Sequence, residues 1–112
     1  MTPLTVIHER FMRDSASLRL GSISSDLGRL ANLLKSGSSD KELFQDLITE
    51  LTRFTEWTAA DLSIDQQKLV LDLQRDLLRW SETTLSSVNA REVQREAAIW
   101  SDRILDTSGL LS

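Results

Sequence analysis

Cysteine is absent from this sequence of 112 residues, and histidine occurs only once. The first absence excludes disulfide bonds, thiolate catalysis and zinc sites that need sulfur ligands. The single histidine, His8, is too little for a histidine-based metal centre, and its position alone assigns it no serine and carboxylate partners. We therefore expect no cofactor and no metal site, and we expect that the protein is not an enzyme.

Glycine and proline are scarce as well, with four and one residues respectively. Together with 40% hydrophobic and 27% charged residues, this scarcity excludes collagen-like, low-complexity and disordered chains. A chain of this length can bury roughly two thirds of its unfolded surface around a single core. The sequence therefore predicts one globular domain.

Long apolar runs and an excess of positive charge are missing too. The longest apolar run, 97–100, falls far short of the roughly 20 residues that a membrane-spanning helix needs, and charged residues interrupt any leader-like segment near the N-terminus. Thirteen Lys and Arg against 17 Asp and Glu give a net charge of −4, which disfavours binding to a phosphate backbone. We expect a cytoplasmic protein that binds neither membranes nor nucleic acid.

Apolar residues recur at alternating steps of three and four in four segments, the period of an amphipathic helix. Short connections near Leu62 and Ser86 force neighbouring helices to run antiparallel. The sequence predicts an all-α fold: an antiparallel up-down-up-down four-helix bundle over 19–108, preceded by an N-terminal helical arm over 1–18 and followed by a tail over 109–112. The four apolar rows are Leu20, Ile23, Leu27, Leu30 and Leu34; Phe44, Leu47, Leu51, Phe54 and Thr58; Val70, Leu73, Leu77 and Trp80; and Val93, Ala97, Trp100 and Ile104.

Capping sequences mark the predicted helix boundaries. Pro3 suits a first helical position, and Gly37 suits a left-handed helix end. Helix starts are predicted by capping boxes, in which two side chains satisfy amides of the first turn. The three boxes are Ser39 with Glu42, Ser63 with Gln66, and Asn89 with Glu92.

The first helical segment is longer than the others. As one helix, 3–35 would extend about 50 Å at 1.5 Å per residue, against roughly 30 Å for the rest. It therefore either breaks near 14–17 or overhangs the bundle, and either outcome separates an arm from the first bundle helix.

Charges of opposite sign are paired along the predicted helices. Acids stand three residues before bases, a spacing that makes them neighbours on a helix surface. We expect such pairs on solvated helix faces. Examples are Asp26 with Arg29, Glu50 with Arg53, Asp72 with Arg75, and Asp76 with Arg79.

Small residues form a row beside the leucines of the first bundle helix. Glycine inside a helix costs roughly 1 kcal/mol relative to alanine, so its recurrence here needs a reason. The row predicts that another helix backbone approaches closely on this side; the alternative is that the helix is marginal and partly kinked. Its members are Ser17, Gly21, Ser24, Gly28 and Ala31.

Three tryptophans stand near predicted helix ends, at Trp57, Trp80 and Trp100. We expect each ring to fill an end of the bundle, with the indole N–H reaching water or a carbonyl. Their intervals are unequal, which disfavours a repeat protein.

The third bundle segment carries a second aliphatic row on the side away from its core row. Its members recur every seven residues and project about 120–180° from the core row, at 100° per residue. Such a row needs cover from a further helix, from the arm, whose own apolar residues also need cover, or from another chain. The candidate interaction residues are Ile64, Leu71, Leu78 and Leu85 in this row, and Leu4, Ile7 and Phe11 in the arm.

The leading hypothesis is a non-enzymatic protein-interaction module. It would be a small acidic adaptor or regulatory bundle that binds a protein partner, a second copy of itself, or both, with a homodimer favoured. The second hypothesis is a bundle that holds a small apolar ligand between helices near the three tryptophans. A weaker third is a metal-dependent hydrolase that uses the acids spaced four residues apart.

Overall fold

The structure, a computed structural model, describes residues 2–37 and 40–111, and its regular secondary structure is entirely α-helical. The all-α prediction is therefore confirmed for the described part of the chain. Five helices occur there: α1 (Leu4–Arg13), α2 (Ala16–Lys35), α3 (Lys41–Ala59), α4 (Ile64–Glu82) and α5 (Ser87–Ser108).

The first predicted helix breaks between α1 and α2. Asp14 is extended, with φ −74° and ψ 150°. Ser15 then caps α2, its hydroxyl accepting from the Leu18 amide at 3.2 Å. The break near 14–17 is thus confirmed over the alternative of one overhanging helix. Pro3 is the N-cap of α1. It therefore lies one residue before the first helical position, which is where the sequence predicts it.

Of the three predicted capping boxes, one is present, one is wrong and one includes a residue outside the described ranges. The Ser63 and Gln66 capping box is present. The Asn89 start is wrong: Ser86 caps α5 and accepts from the Asn89 amide, so a serine one turn earlier already satisfies that donor. Ser39 lies outside the described residues, and Asp40 caps α3 by accepting from the Leu43 amide at 2.9 Å. At the end of α2, Gly37 has the predicted positive φ, 73°.

The core lies between α2, α3, α4 and α5. The predicted apolar rows of α2, α4 and α5 are buried there, whereas α3 buries Ile48 and Thr55 beside Phe44, Leu51 and Thr58 of its predicted row. The most extensive helix–helix contact is between α2 and α5. Helix α3 packs against α2 and α4, and α4 also contacts α5. Leu47 and Phe54 are only half-buried in α3, because this side of α3 faces α1. The largest fully buried side chains are Trp80, Phe44, Leu20, Ile23, Leu27, Leu30, Leu51, Leu73, Leu77 and Ile104.

The small-residue row of α2 lies against α5. The Ser24 hydroxyl donates to the Ser101 carbonyl at 2.7 Å, and the Ser101 hydroxyl donates to the Ser24 carbonyl at 2.8 Å. A Cβ on Gly28 would lie 3.7 Å from the Ser101 hydroxyl, whereas one on Gly21 would lie 2.7 Å from the Leu110 side chain. The predicted close approach is confirmed, and the approaching helix is α5.

Candidate interaction surface

The outward side of α4 exposes three aliphatic side chains in line. Ile64 is 72% exposed, Leu71 49% and Leu78 62%. Successive members lie about 10.5 Å apart along the helix, since each residue adds 1.5 Å. We call these three residues the α4 face. The inward side of the same helix is buried, with Val70, Leu73, Leu77 and Trp80 each at most 1% exposed.

Leu85, the fourth residue of the predicted row, is not on this helix. α4 ends at Glu82, and Thr83 is extended with ψ 129°. Leu85 lies in the connection to α5, half-buried against the core. The helix therefore presents three residues of the predicted row, because the β-branched pair Thr83 and Thr84 follows the last turn and favours extended backbone.

Polar side chains border the α4 face. Lys68 and Glu82 are exposed. Arg75 is exposed and pairs with Asp72 at 3.5 Å within the same helix. On the side nearer the core, Gln74 is half-buried and donates to the Thr55 hydroxyl at 3.2 Å. The aliphatic row is thus flanked by groups that can stay hydrated at the edge of a contact.

The arm residues cover α3 and leave the α4 face exposed. Phe11 is buried and stacks on Phe54 with ring centroids 4.1 Å apart. His8 meets the ring of Trp57 edge-on at 4.7 Å. The prediction that the arm could cover the α4 face is therefore wrong, because the two-residue break at Asp14 and Ser15 keeps α1 beside the aromatic side of α3. Phe11 is buried within the chain and is therefore not available to a partner.

The other two arm candidates remain at the surface. Leu4 is 46% exposed and Ile7 is half-buried. Both line a shallow groove between α1 and α3, next to Leu43 and Trp57. This groove belongs to the contact between α1 and α3, so Leu4 and Ile7 do not join the α4 face in one surface.

A buried arginine fixes the break between α1 and α2. The Arg19 guanidinium donates to the Asp14 carbonyl at 3.1 Å and to the Trp57 carbonyl at 3.4 Å. It also pairs with Asp61 at 2.9 Å, although its own side chain is only 7% exposed. Sequence spacing could not reveal this, since two partners are main-chain carbonyls and the third lies on a different part of the chain.

Two tryptophans lock α4 to α5 through carboxylates. The Trp80 indole donates to Glu96 at 3.2 Å, and the Trp100 indole donates to Asp76 at 2.7 Å. Arg79 pairs with both carboxylates. We call these five residues the tryptophan–carboxylate cluster. Ring burial is confirmed for Trp80 and Trp100, whereas Trp57 is only half-buried. The predicted N–H partners of Trp80 and Trp100, water or a carbonyl, are wrong, because both indoles donate to carboxylates.

Asp26 and Glu50 form a carboxyl pair between α2 and α3. The Asp26 side chain is 5% exposed; one oxygen accepts from Arg29 at 3.2 Å and the other has no hydrogen-bond partner. Burial, reinforced by Glu50 and opposed by Arg29, raises the pKa of Asp26 from 3.8 to about 8. A protonated Asp26 satisfies its free oxygen by donating to Glu50. The predicted pairing of Asp26 with Arg29 is confirmed, but its predicted position on a solvated helix face is wrong, because Asp26 is buried.

The described residues offer little to the hydrolase hypothesis. They contain no group of three or more His, Cys, Asp or Glu side chains that could hold a metal ion. Within the same ranges, no helix is long and apolar enough to cross a membrane. Comparison of the chain with known protein families, curated proteins and solved structures finds no match.

Proposed function

We propose that this protein is a non-enzymatic interaction module, a small acidic cytoplasmic adaptor or regulatory bundle, that forms a homodimer through the α4 face. The observation that carries the proposal is that Ile64, Leu71 and Leu78 stay 49–72% exposed although a fifth helix is present to cover them. Three aligned aliphatic side chains make a patch of a few hundred Å², near the limit that monomers tolerate.

We also propose that α2–α5 form the up-down-up-down antiparallel bundle, with α1 as its arm. Opposite directions for α2 and α5 are supported at both ends of that pair. Gly21, early in α2, lies beside Leu110, just after α5. Leu34, late in α2, lines a cavity together with Ala90, early in α5. In this arrangement α4 sits at a corner with its outer side free for a partner.

A two-fold axis near Gln74 and Arg75 brings the leucines of the two α4 helices together, and each Arg75 at the centre keeps its pair with Asp72 of its own helix. Two copies of the helix crossing antiparallel about that point place Leu71 against Leu78 of the partner subunit and the reverse, since both leucines are about equally far from the axis. The same symmetry brings Lys68 close to Glu82 of the partner subunit. A two-fold contact is self-complementary by construction, so each apolar and each charged pairing occurs twice.

Light scattering on purified protein tests this proposal. We expect a dimeric wild type, and a folded monomer for the double variant Leu71→Glu, Leu78→Glu, because two buried charges cannot be solvated in the seam. Ile99→Glu is the matched control, since Ile99 is 52% exposed on α5 and should leave the dimer intact. A monomeric wild type, or a double variant that remains dimeric, overturns the proposal.

The charges at the border of the α4 face test the orientation of the two copies. Lys68→Glu should weaken the dimer because it faces the acidic Glu82 of the partner subunit. The double variant Lys68→Glu, Glu82→Lys should restore it, since the pair is exchanged and not lost. Equal dissociation constants for single and double variants by analytical ultracentrifugation would contradict the antiparallel geometry while leaving the use of the α4 face intact.

A further inference from the structure

A cavity of about 660 Å³ opens where α2 ends and α5 begins. Its basic lining comes from three helices: Lys35 at the end of α2, Lys41 at the start of α3, and Arg91 in the first turns of α5. No acidic side chain lines it among the described residues. In a chain with a net charge of −4, this concentration of positive charge is local.

These three cations are held by no ion pair that the described residues record; the recorded pairs use Arg19, Arg29, Arg75 and Arg79. Asp40, which precedes Lys41, accepts from the Leu43 amide at the start of α3. Glu42 and Glu92, which follow Lys41 and Arg91 in sequence, do not line the cavity. The α5 N-terminus at Ser87 also lines the cavity, and its free amides add positive potential to that of the side chains. An anionic group placed here meets favourable charge from several directions.

The inner part of the cavity is aliphatic. Leu34 is buried, and Leu85 and Ala90 are half-buried members of the core's edge. Charged groups at the mouth and hydrocarbon at the floor match a ligand that has an anionic head and an apolar tail. The volume lies within the usual range of small-molecule sites, about 300–1,000 Å³. This also accounts for Leu85, which the end of α4 separates from the α4 face.

We propose that this cavity binds a medium-chain aliphatic carboxylate, with the carboxylate among Lys35, Lys41 and Arg91 and the chain on Leu34, Leu85 and Ala90. The site is separate from the α4 face, so it does not depend on dimer formation. The same head-and-tail chemistry occurs on a free acid and on a lipid in a bilayer, and the assignment here is to the free acid.

Isothermal titration calorimetry with decanoate below its micellar concentration is the direct test. Decanoate should bind, decanol should bind at least tenfold more weakly because it lacks the charge, and acetate should show no binding because it lacks the chain. Lys35→Gln and Arg91→Gln should each weaken decanoate binding about three- to tenfold, as expected for partly exposed ion pairs. Arg95→Gln, an equal charge change on an exposed residue of α5 that does not line this cavity, should leave it unchanged.

The aliphatic floor has its own variant. Ala90→Phe keeps all three cations and fills the inner cavity, so it should reduce decanoate binding while helicity and melting stay close to wild type. Absence of decanoate binding to the wild type overturns the proposal, as does equal binding of decanoate and decanol. Co-sedimentation with phosphatidylglycerol vesicles that depends on Arg91, without binding of free decanoate, would assign the site to a lipid surface and would also refute the free-acid assignment.

Discussion

α5 contacts its two neighbours in different ways. Against α2 it offers a serine, and the hydroxyls of Ser24 and Ser101 each reach the other helix's carbonyl at 2.7–2.8 Å. Against α4 it offers Trp100 and Glu96, whose partners are the side chains of Asp76 and Trp80. One contact joins main chains and the other joins the ends of long side chains, although both surround the same core.

The difference follows from residue size. Small residues let two helix backbones approach, so short hydroxyls can satisfy carbonyls directly. Tryptophans hold two helices apart and fill the space with rings, and each buried indole then needs an acceptor that can reach across. Here a carboxylate serves each indole, and Arg79 neutralises both carboxylates. The first contact should be sensitive to added volume and the second to removed volume.

The largest expected effect is the loss of a ring at the contact with α4. Trp80→Ala should lower the free energy of unfolding by about 3–5 kcal/mol, since Trp80 is fully buried and leaves a cavity. Urea denaturation followed by circular dichroism measures this. Trp80→Phe, which keeps one ring and loses the donor to Glu96 together with part of the indole volume, should cost less. Equal costs for both variants would show that the hydrogen bond, and not volume, dominates this contact.

Added volume at the contact with α2 is the complementary change. Gly28→Leu should destabilise by about 1–3 kcal/mol, because the side chain must displace α5 or leave its rotamer. Gly28→Ala is the matched control: its Cβ would lie 3.7 Å from the Ser101 hydroxyl, an ordinary contact, and it gains up to about 1 kcal/mol of helix propensity. A lower melting temperature for Gly28→Ala than for Gly28→Leu would contradict a close approach of α2 and α5.

On its other side, α2 buries Asp26, whose effect depends on pH. Asp26 holds its proton more tightly in the folded chain, with a pKa of about 8 against an ordinary 3.8. The contribution of Asp26 to the free energy of unfolding is fully present below about pH 4 and is lost as the pH rises towards 8. Asp26→Asn should therefore stabilise by about 1–3 kcal/mol at pH 8 and hardly at all at pH 4, since the amide can donate to Glu50 without a proton from solvent.

Denaturation midpoints at the two pH values measure that effect. The exposed acid Asp46 on α3 supplies the control, because Asp46→Asn should shift both midpoints equally. An Asp26→Asn variant with unchanged pH dependence would indicate that Asp26 is ionised in the folded protein at neutral pH.

The smallest expected effect concerns the serine pair. Ser101→Ala should cost about 0.5–1.5 kcal/mol, because it removes the donor to the Ser24 carbonyl while the Ser24 hydroxyl keeps its own acceptor. Ser81→Ala is the comparison, since that hydroxyl bonds only within its own helix, to the Leu78 carbonyl. Indistinguishable midpoints for the two variants would mean that hydroxyls add little beyond the small size of the α2 row.

The sequence predicted those parts of the fold that depend on local periodicity. The helical rows and the close approach at Gly28 follow from spacing and propensity. The length of 3–35 left a break near 14–17 as one of two possibilities. It could not predict which helix the arm would cover, since that depends on how Phe54 and Trp57 are placed in space. Helix ends were displaced where two capping residues competed, as with Ser86 and Asn89.

The candidate sites show the same limit. Ile64, Leu71 and Leu78 were found because a single helix carries them. The cavity of Lys35, Lys41 and Arg91 was missed, because its cations come from three helices whose ends meet only in the folded chain. Asp26 was misplaced for a related reason: its spacing from Arg29 is that of a surface pair, and only the position of α3 buries it.

Arg19 has a consequence for how the molecule opens. Its guanidinium joins the α1–α2 break to the last turn of α3 and to Asp61, so α1 cannot leave without breaking contacts of this buried guanidinium with Met12 and the Asp14 carbonyl. Amide hydrogen exchange in α1 should therefore be coupled to that of the α3–α4 corner, as one cooperative unit and not as a fraying end.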